Sequence, residues 1–263
     1  MSNLSMQINK MMRMARVGLT PPGARIKTRF SDGLVITGRN IEGYGGRGIY
    51  ISRENIEPEF RYLNSFVSKN EVFVDVGANT GIYTLKAAKA LGPGGVVLSL
   101  EPFPEMLVDL AYNVKLNGLS NVRLRGLCAA GRTGPDSFWT NYGKPNSFSL
   151  VKHDTGATPY SVLKIKLDDL FVMEGLTRCD YIKIDAEGVE QEIIEGAKHL
   201  IETYRPIIQA EVIIAKFQVT LNDYVVFQAK YPDGRLSPNK LFIPKESSKI
   251  KIAHDLHFDV CDK

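Results

Sequence analysis

The chain has 263 residues, 44% of them hydrophobic and 24% charged, with 33 Lys and Arg against 29 Asp and Glu for a net charge of +4. This is the composition of an ordinary soluble globular protein; it excludes disordered, collagen-like and disulfide-scaffold chains, and the charge is too small for an obligate nucleic-acid binder. The length suits one domain with a sizeable core, the three scattered cysteines point to a reducing, cytoplasmic setting rather than to disulfides or zinc, and no apolar run approaches the ~18 residues that span a bilayer.

The positive charge is concentrated at the start. Lys10, Arg13, Arg16, Arg25, Lys27 and Arg29 precede the first acid, Asp32, so residues 32–263 hold 27 basic against 29 acidic side chains. The arm MSNLSMQINKMMRMARVGL lacks the continuous apolar stretch and cleavage site of a secretory signal. Acid-free and amphipathic, it fits a membrane-surface helix, a transit peptide or a plain surface helix with a frayed end. Its charge makes a peripheral membrane or glycolipid contact the partner expected of it. Residues 21–56 are rich in Gly and Pro, and the alternating runs GLVITG and RGIYIS predict a small β element. Residues 1–56 therefore read as a helical and β extension to a domain over 57–263.

From Glu71 onward apolar strands alternate with helical stretches. VFVDVG (72–77), VVLSLEP (96–102), NVRLRGLCA (121–129), YIKIDAEG (181–188) and PIIQAEV (206–212) predict five central strands. IYTLKAAKAL is the helix after the first, and PEMLVDLAYNVKLNG the helix after the second, with Pro104 in its first turn and Gly118 past its end. Helical crossovers between buried apolar strands predict an α/β fold, a doubly wound and mostly parallel sheet covered on both faces. The polar stretch 131–160 reads as a long functional insertion. VEQEIIEGAKHLI reads as a helix with Val189, Ile193, Ala197 and Leu200 toward the core, and the segment after Glu211 as antiparallel edge strands.

The strongest chemical signal is the turn after the first central strand: Asp75, then Gly77, Ala78, Asn79, Thr80 and Gly81. Glycines there let backbone approach a ligand closely, and the carboxyl ends of parallel strands form the crevice where open α/β sheets bind nucleotides. Asn79 stands where a dinucleotide G-x-G-x-x-G has its second glycine, and Ile82 where a P-loop has its lysine, so both phosphate motifs are broken. An acid before the glycines suits a ligand with an ammonium group. S-adenosylmethionine carries that amine together with a ribose, whose hydroxyls Glu101 at the end of the second strand can accept. Pro102 and Phe103 offer an apolar wall for adenine, and Cys128 and Ala129 offer backbone groups at its edge. Glu101 also reads as a charge at the start of the next helix, and Cys128 as a small buried hydrophobe.

Four blocks in order, IEPEFRYL, VDVGANTGIYTL, LKIKLDDL and YIKIDAEGVEQEIIEGA running on to RPIIQAEV, span residues 56–214 and resemble the FkbM family of class I S-adenosylmethionine-dependent methyltransferases. A late SPNKLFIP resembles the family's closing strand. The resemblance implies a Rossmann-like sheet and methyl transfer to oxygen, on hydroxyl groups of sugars in glycolipids or polysaccharides, or of secondary metabolites. It also implies that Asp75, Gly77 and Gly81 belong to the methionine-binding turn and that Glu101 binds ribose.

A neutral hydroxyl is a poor nucleophile and needs a base or a metal to ease its proton away. Asp185 ends the fourth strand, Glu187 lies two residues on, and Glu211 ends the fifth strand on the same rim. Asp185 is the candidate general base or metal ligand, assisted by Glu187; the three acids cluster at strand ends, and three oxygen ligands completed by water would suit Mg2+, with Asp185 and Glu211 as the metal ligands. The same acids also read as a loop anchor and a helix cap. His153, in the insertion, is either an acceptor-site base or a solvated loop residue. His199, His254 and His257 read as structural, and Asp168 and Asp169 as caps of the helix DDLFVMEG. Two other functions share these motifs. One is an NAD(P)-dependent Rossmann oxidoreductase, weakened by the broken glycine fingerprint and by the lack of a Tyr-x-x-x-Lys pair. The other is a cofactor-binding scaffold without transfer activity, weakened by the retention of Asp75, Glu101, Asp185 and Glu187.

Overall fold

The computed structural model describes residues 3–140, 158–186, 188–212 and 221–261. The chain opens with helix α1 (Asn3–Leu19), the hairpin β1 (Arg25–Arg29) and β2 (Val35–Arg39), helix α2 (Arg47–Ser52), a single tight turn over Arg53–Asn55, and α3 (Pro58–Phe66). Alternation follows: β3 (Val72–Val76), α4 (Ile82–Leu91), β4 (Val96–Leu100), α5 (Pro104–Leu116) and β5 (Val122–Arg125). Next come β6 (Cys128–Ala129), β7 (Gly134–Thr140), β8 (Thr158–Ile165) and α6 (Leu167–Glu174), then β9 (Tyr181–Ile184), α7 (Glu190–Glu195), α8 (Lys198–Tyr204) and β10 (Ile207–Glu211). The chain closes with β11 (Tyr224–Gln228), β12 (Asn239–Pro244), α9 (Lys249–Asp255) and β13 (Asp259–Val260).

Among the described residues eight strands form the main sheet, in the order β13-β11-β12-β10-β9-β3-β4-β5. The run from β10 to β5 is parallel, and β12, β11 and β13 add an antiparallel edge. The fold is thus the expected Rossmann-like α/β sheet. The chain winds outward from β3 through β4 to β5, then returns to β9 and winds the other way, so the switch point falls between β3 and β9. Ligands of open α/β sheets sit at such a point, outside the carboxyl ends of the strands. Alternate residues of the parallel strands feed two cores: Val72, Val74 and Val76 pack with Leu167, Ile193 and Leu200, and Phe73 packs with Phe60, Leu85 and Tyr181. Val189, Ile193, Ala197 and Leu200 are all buried, as their period predicts.

Three segments depart from the sequence reading. RGIYIS forms α2 rather than a strand. Gly46 lies so close to β2 that a Cβ there would come within 2.3 Å of Arg39 O, which turns the chain back and lets it close helical bonds such as Tyr50 N–H to Gly46 O at 3.0 Å. NVRLRGLCA splits: β5 stays in the main sheet, while β6 leaves it to join β8 and β7 in a three-stranded side sheet. The helix expected over VEQEIIEGAKHLI breaks into α7 and α8 at Gly196, where a Cβ would sit 2.3 Å from Ala130 O. Asp168 caps this break rather than its own helix, accepting from His199 N at 3.1 Å and Leu200 N at 2.8 Å, and Asp169 accepts from the Thr133 hydroxyl.

The hairpin is held against α5 by a column of side chains spaced four residues apart. Glu105 pairs with Arg39, and Asp109 with Arg25. Asn113 takes both the N–H and the C=O of Thr37, each at 2.9 Å, and Asn117 does the same for Val35 at 2.8 and 2.6 Å. The two asparagines therefore satisfy an otherwise open strand edge as a neighbouring strand would. Asn113 also donates to Thr80 O at 2.9 Å, linking the hairpin to the turn after β3. Asn113→Ala strands the buried Thr37 N–H and C=O, and we expect a loss of about 3 kcal/mol in urea unfolding. A loss under about 0.5 kcal/mol, the scale of an ordinary surface substitution, would show that the column is not structural.

Between α3 and β12 lies a second buried acid. Glu59 accepts from Ser237 Oγ at 3.0 Å and Asn239 Nδ2 at 3.4 Å, while its other oxygen has no partner among the described residues. Burial raises its pKa from 4.5 to about 7, against its hydrogen bonds, which lower it. An acid whose folded pKa is raised contributes its full stability below the unfolded value and loses it as pH climbs through the folded one. Between pH 4.5 and 7 the parent protein therefore loses stability at this site, and Glu59→Gln does not. The melting temperature of the variant relative to the parent should rise between pH 5 and pH 8; a flat or falling difference would refute the assignment.

Candidate active site

The crevice lies at the carboxyl ends of β3, β4, β9 and β10. The turn after β3 is forced into left-handed backbone at Gly77 (φ 71°), Asn79 (φ 50°) and Gly81 (φ 96°). A Cβ on Gly77 would lie 1.9 Å from Asp185 O, and one on Gly81 2.3 Å from a Leu110 methyl, so these glycines serve close packing of β3 on β9 and of α4 on α5. Every N–H of the turn is used internally. Gly77 N and Ala78 N donate to Leu100 O at 3.1 and 3.0 Å, and Asn79 N to Glu101 Oε2 at 2.8 Å. Thr80 N donates to Asn79 Oδ1 at 2.7 Å, and Gly81 N to Ala78 O at 2.8 Å.

Glu101 is the pivot of the second strand's end. Its Oε1 accepts from Phe103 N at 2.8 Å and its Oε2 from Asn79 N, leaving each oxygen a second acceptor direction. Burial pushes its pKa up to about 7, opposed by these two N–H donors. Pro102 is half-buried, and Phe103 is buried in a small cluster with Tyr44 and Met106. Cys128 and Ala129 are buried in β6; burial pushes the Cys128 thiol up to about 12, with Glu101 among the charges that reach it, so it is no nucleophile at neutral pH.

A row of polar side chains crosses the sheet beneath this rim: Ser99, Asp75, Lys183 and Gln209 are register neighbours on four adjacent strands. Thr84 donates to Asp75 Oδ2 at 2.6 Å and meets Ser99 Oγ at 2.8 Å. The Lys183 ammonium lies 3.8 Å from Asp75 Oδ1, 3.3 Å from Asp185 Oδ2 and 3.4 Å from Gly77 O. Gln209 bridges Tyr181 and Tyr83 at 2.8 and 2.9 Å, and Tyr83 donates to Glu57 at 2.5 Å. Burial works against the charge on Lys183, but Asp185, Asp75 and Glu57 outweigh it and hold the ammonium above its usual pKa. Burial likewise raises Asp75, with Lys183 opposing. The ammonium that faces Asp75 is thus the chain's own.

Lys183 is the residue that sequence reasoning missed. Its signal was present: a lysine inside YIKID, a strand read as buried on both faces, must find a carboxylate. Asp185 keeps its place on the rim, its side chain 43% exposed where that of Lys183 is 6%. Glu187 and His153 lie outside the described residues. Glu190 shapes the loop after β9, accepting from Ala186 N and Gly188 N at 3.1 Å each. Glu211 stands at the end of β10, its pKa raised by partial burial and by the charges of Asp185 and Glu190. The Mg2+ expected at Asp185 and Glu211 gains no support: among the described residues, which leave out Glu187, no group of three or more His, Cys, Asp or Glu is arranged to hold a metal, and Asp185 is engaged by an ammonium.

The sequence profile of the Methyltransferase FkbM domain matches residues 75–232, more than half of the chain. Methyltransferase sdnD of Sordaria araneosa is 26% identical over 207 residues, which cover 60% of this chain and 79% of that protein. Methyltransferase 1 of Beauveria bassiana is 25% identical over 170 residues, 54% of this chain and 68% of that one. Among solved structures, Methyltransferase FkbM from Methylobacillus flagellatus aligns with a TM-score of 0.48 at 17% identity, over 74% of this chain and 53% of its own. With its glycine turn, its strand-end acids and strands β4, β5, β9, β10 and β11 all inside the matched span, the chain belongs to the FkbM methyltransferase domain family.

Proposed function

We propose that this methyltransferase uses S-adenosylmethionine and transfers the methyl group to a hydroxyl of a sugar, glycolipid or secondary metabolite. The observation that carries the cofactor reading is the hydrogen-bond accounting of the turn after β3. A pyrophosphate needs backbone N–H groups pointing at it, and the five N–H groups of residues 77–81 are all committed within the protein. What the crevice offers is acceptors, not donors. The free acceptor directions of Glu101 suit the two ribose hydroxyls, and the carboxylates of Asp185, Glu190 and Glu211 suit a sulfonium cation, a charge that S-adenosylhomocysteine lacks. When bound, S-adenosylmethionine supplies an electrophilic methyl group on a sulfonium.

The chain's own task is to hold the acceptor oxygen and take its proton. Asp185 is the base in this reading: it is the half-exposed acid of the rim, and its Oδ2 is fixed by Lys183. The ion pair sets the rotamer of the carboxylate, so a positioning role falls to Lys183. The acidic crevice also favours an uncharged acceptor over an anionic one.

Three outcomes test this. In a thermal-shift series S-adenosylhomocysteine should stabilise the protein and NAD should not; stabilisation by NAD alone would return the oxidoreductase reading. Glu101→Ala removes two charge-assisted acceptors and should weaken S-adenosylhomocysteine at least about tenfold by calorimetry. Asp185→Asn should lower kcat on a hydroxyl acceptor by roughly 10²–10⁴-fold while leaving S-adenosylhomocysteine affinity within about twofold. An unchanged kcat in a folded Asp185→Asn protein would remove Asp185 from the chemistry.

A further inference from the structure

Helix α1 is fastened to the body along one side only. Val17 is buried, Arg13 Nε donates to Ile51 O at 2.8 Å, and Asn40 Nδ2 donates to Val17 O and Thr20 O at 3.1 and 2.7 Å. On another side Ile8, Met11, Met12, Ala15 and Leu19 follow the i, i+3, i+4, i+7, i+11 spacing of a single helical stripe. That stripe faces solvent: Met11 is 69% exposed and Leu19 87%. Large side chains left in water along one helix face mark an interaction surface rather than a core.

Met12, at the edge of the stripe, also lines a cavity of about 460 Å³ between α1 and residues 50–55, the end of α2 and the tight turn after it. Arg13, Arg16 and Arg53 line it together with Tyr50 and Glu54. Burial and the neighbouring Arg53 charge both lower the pKa of Arg13, and Arg53 Nε is buried with no hydrogen-bond partner among the described residues. Glu54, the one acid on this wall, is turned to Ser31 N at 2.6 Å. Three guanidinium groups against this single carboxylate leave the wall positive, and an anion of phosphate type completes it.

We propose that α1 is an interfacial helix that seats the enzyme on an anionic lipid bilayer, with the Met11–Met12 stripe in the headgroup boundary and a lipid phosphate in the Arg13–Arg16–Arg53 cavity. Charge complementarity selects this occupant. No acid occurs before Asp32, so a second copy would present the same positive surface to this one. A nucleic acid would meet the arginines but leave the methionine stripe in water. A bilayer with anionic headgroups satisfies both, and no described helix is long and apolar enough to cross one, so α1 lies on it.

Co-sedimentation of the full chain with lipid vesicles tests the proposal independently of methyl transfer. The protein should pellet with phosphatidylcholine vesicles containing phosphatidylglycerol, remain in solution with phosphatidylcholine alone, and be released by high salt. Met11→Gln with Met12→Gln should cut partitioning at least tenfold, and Arg16→Gln and Arg53→Gly about fivefold each. Val172→Gln, which removes an equally exposed apolar side chain on α6, should change nothing. Absence of binding to the anionic vesicles, or equal binding by the arginine variants, overturns the proposal. So does a dimer in light scattering that the methionine variant dissolves, which would assign the stripe to a second copy.

Discussion

The buried ammonium of Lys183 is the constraint on which the site depends. A cation taken out of water in the middle of a sheet is tolerated only if anions and dipoles surround it, and removing one partner of such a group typically costs about 3–5 kcal/mol. Here the compensation comes from three separate parts of the chain: Asp75 on β3, Asp185 past β9, and Glu57 ahead of α3, with the Gly77 carbonyl as a fourth contact. The charge therefore fixes the relative position of the glycine turn and the loop after β9, the two backbone segments that meet at the switch point. It also explains why Gly77 must be glycine. The turn is drawn so near β9 that Asp185 O occupies the space of a side chain.

A second consequence is the polarity of the crevice. With its N–H groups spent on Leu100, Glu101 and its own residues, the turn presents no anion nest, and the carboxylates at the strand ends give the opening a negative character. The N-terminal hairpin contributes to this closure. Asn79 Nδ2 donates to Gly43 O at 3.1 Å, Asn113 holds the Thr80 carbonyl, and Gly45 lies close enough to Thr80 that a Cβ would clash with its hydroxyl. The segment before the main sheet is thus a wall of the turn after β3, and α5 is the strut that carries it.

The parallel sheet was legible because buried strands of a doubly wound fold are apolar on both faces and are separated by helix-length segments; VFVDV, VVLSL and YIKI need no partner to be recognised. The antiparallel edge was legible for the related reason that turn-rich segments return strands directly. What was not legible depended on contacts far away in sequence. The alternation in RGIYIS is the same in a strand and in α2, and only the packing of Gly46 on β2 decides between them. The departure of Cys128 and Ala129 to the side sheet is set by pairing with Lys164 and Ile165, nearly forty residues on. Gly196 reads as an ordinary glycine within a helix until Ala130 is placed against it. In the site, the identity of the strand-end acids could be read one by one, but their partners could not. Asp75 was assigned to a ligand's amine because the competing ammonium lies 108 residues further along.

The two concentrations of positive charge answer to different environments. Lys183 is enclosed, and three carboxylates of the fold complete it, so its charge is a structural element with no need of a ligand. The arginines around the α1 cavity are partly open to water and face one another. The one acid on this wall, Glu54, is also held by a backbone N–H and offsets a single charge, so among the described residues the wall stays positive. The apolar stripe of α1 is incomplete in the same sense, since its methionines lie along a helix and are mostly exposed among the described residues. An enzyme whose acceptor is a lipid-linked or amphiphilic hydroxyl would gain from both, because holding the catalytic crevice at the surface where the acceptor resides replaces a search in three dimensions with one in two. The net charge of +4 combines six positive charges ahead of Asp32 with a nearly neutral remainder of 27 basic and 29 acidic side chains, and its small size conceals how unevenly the charge is placed.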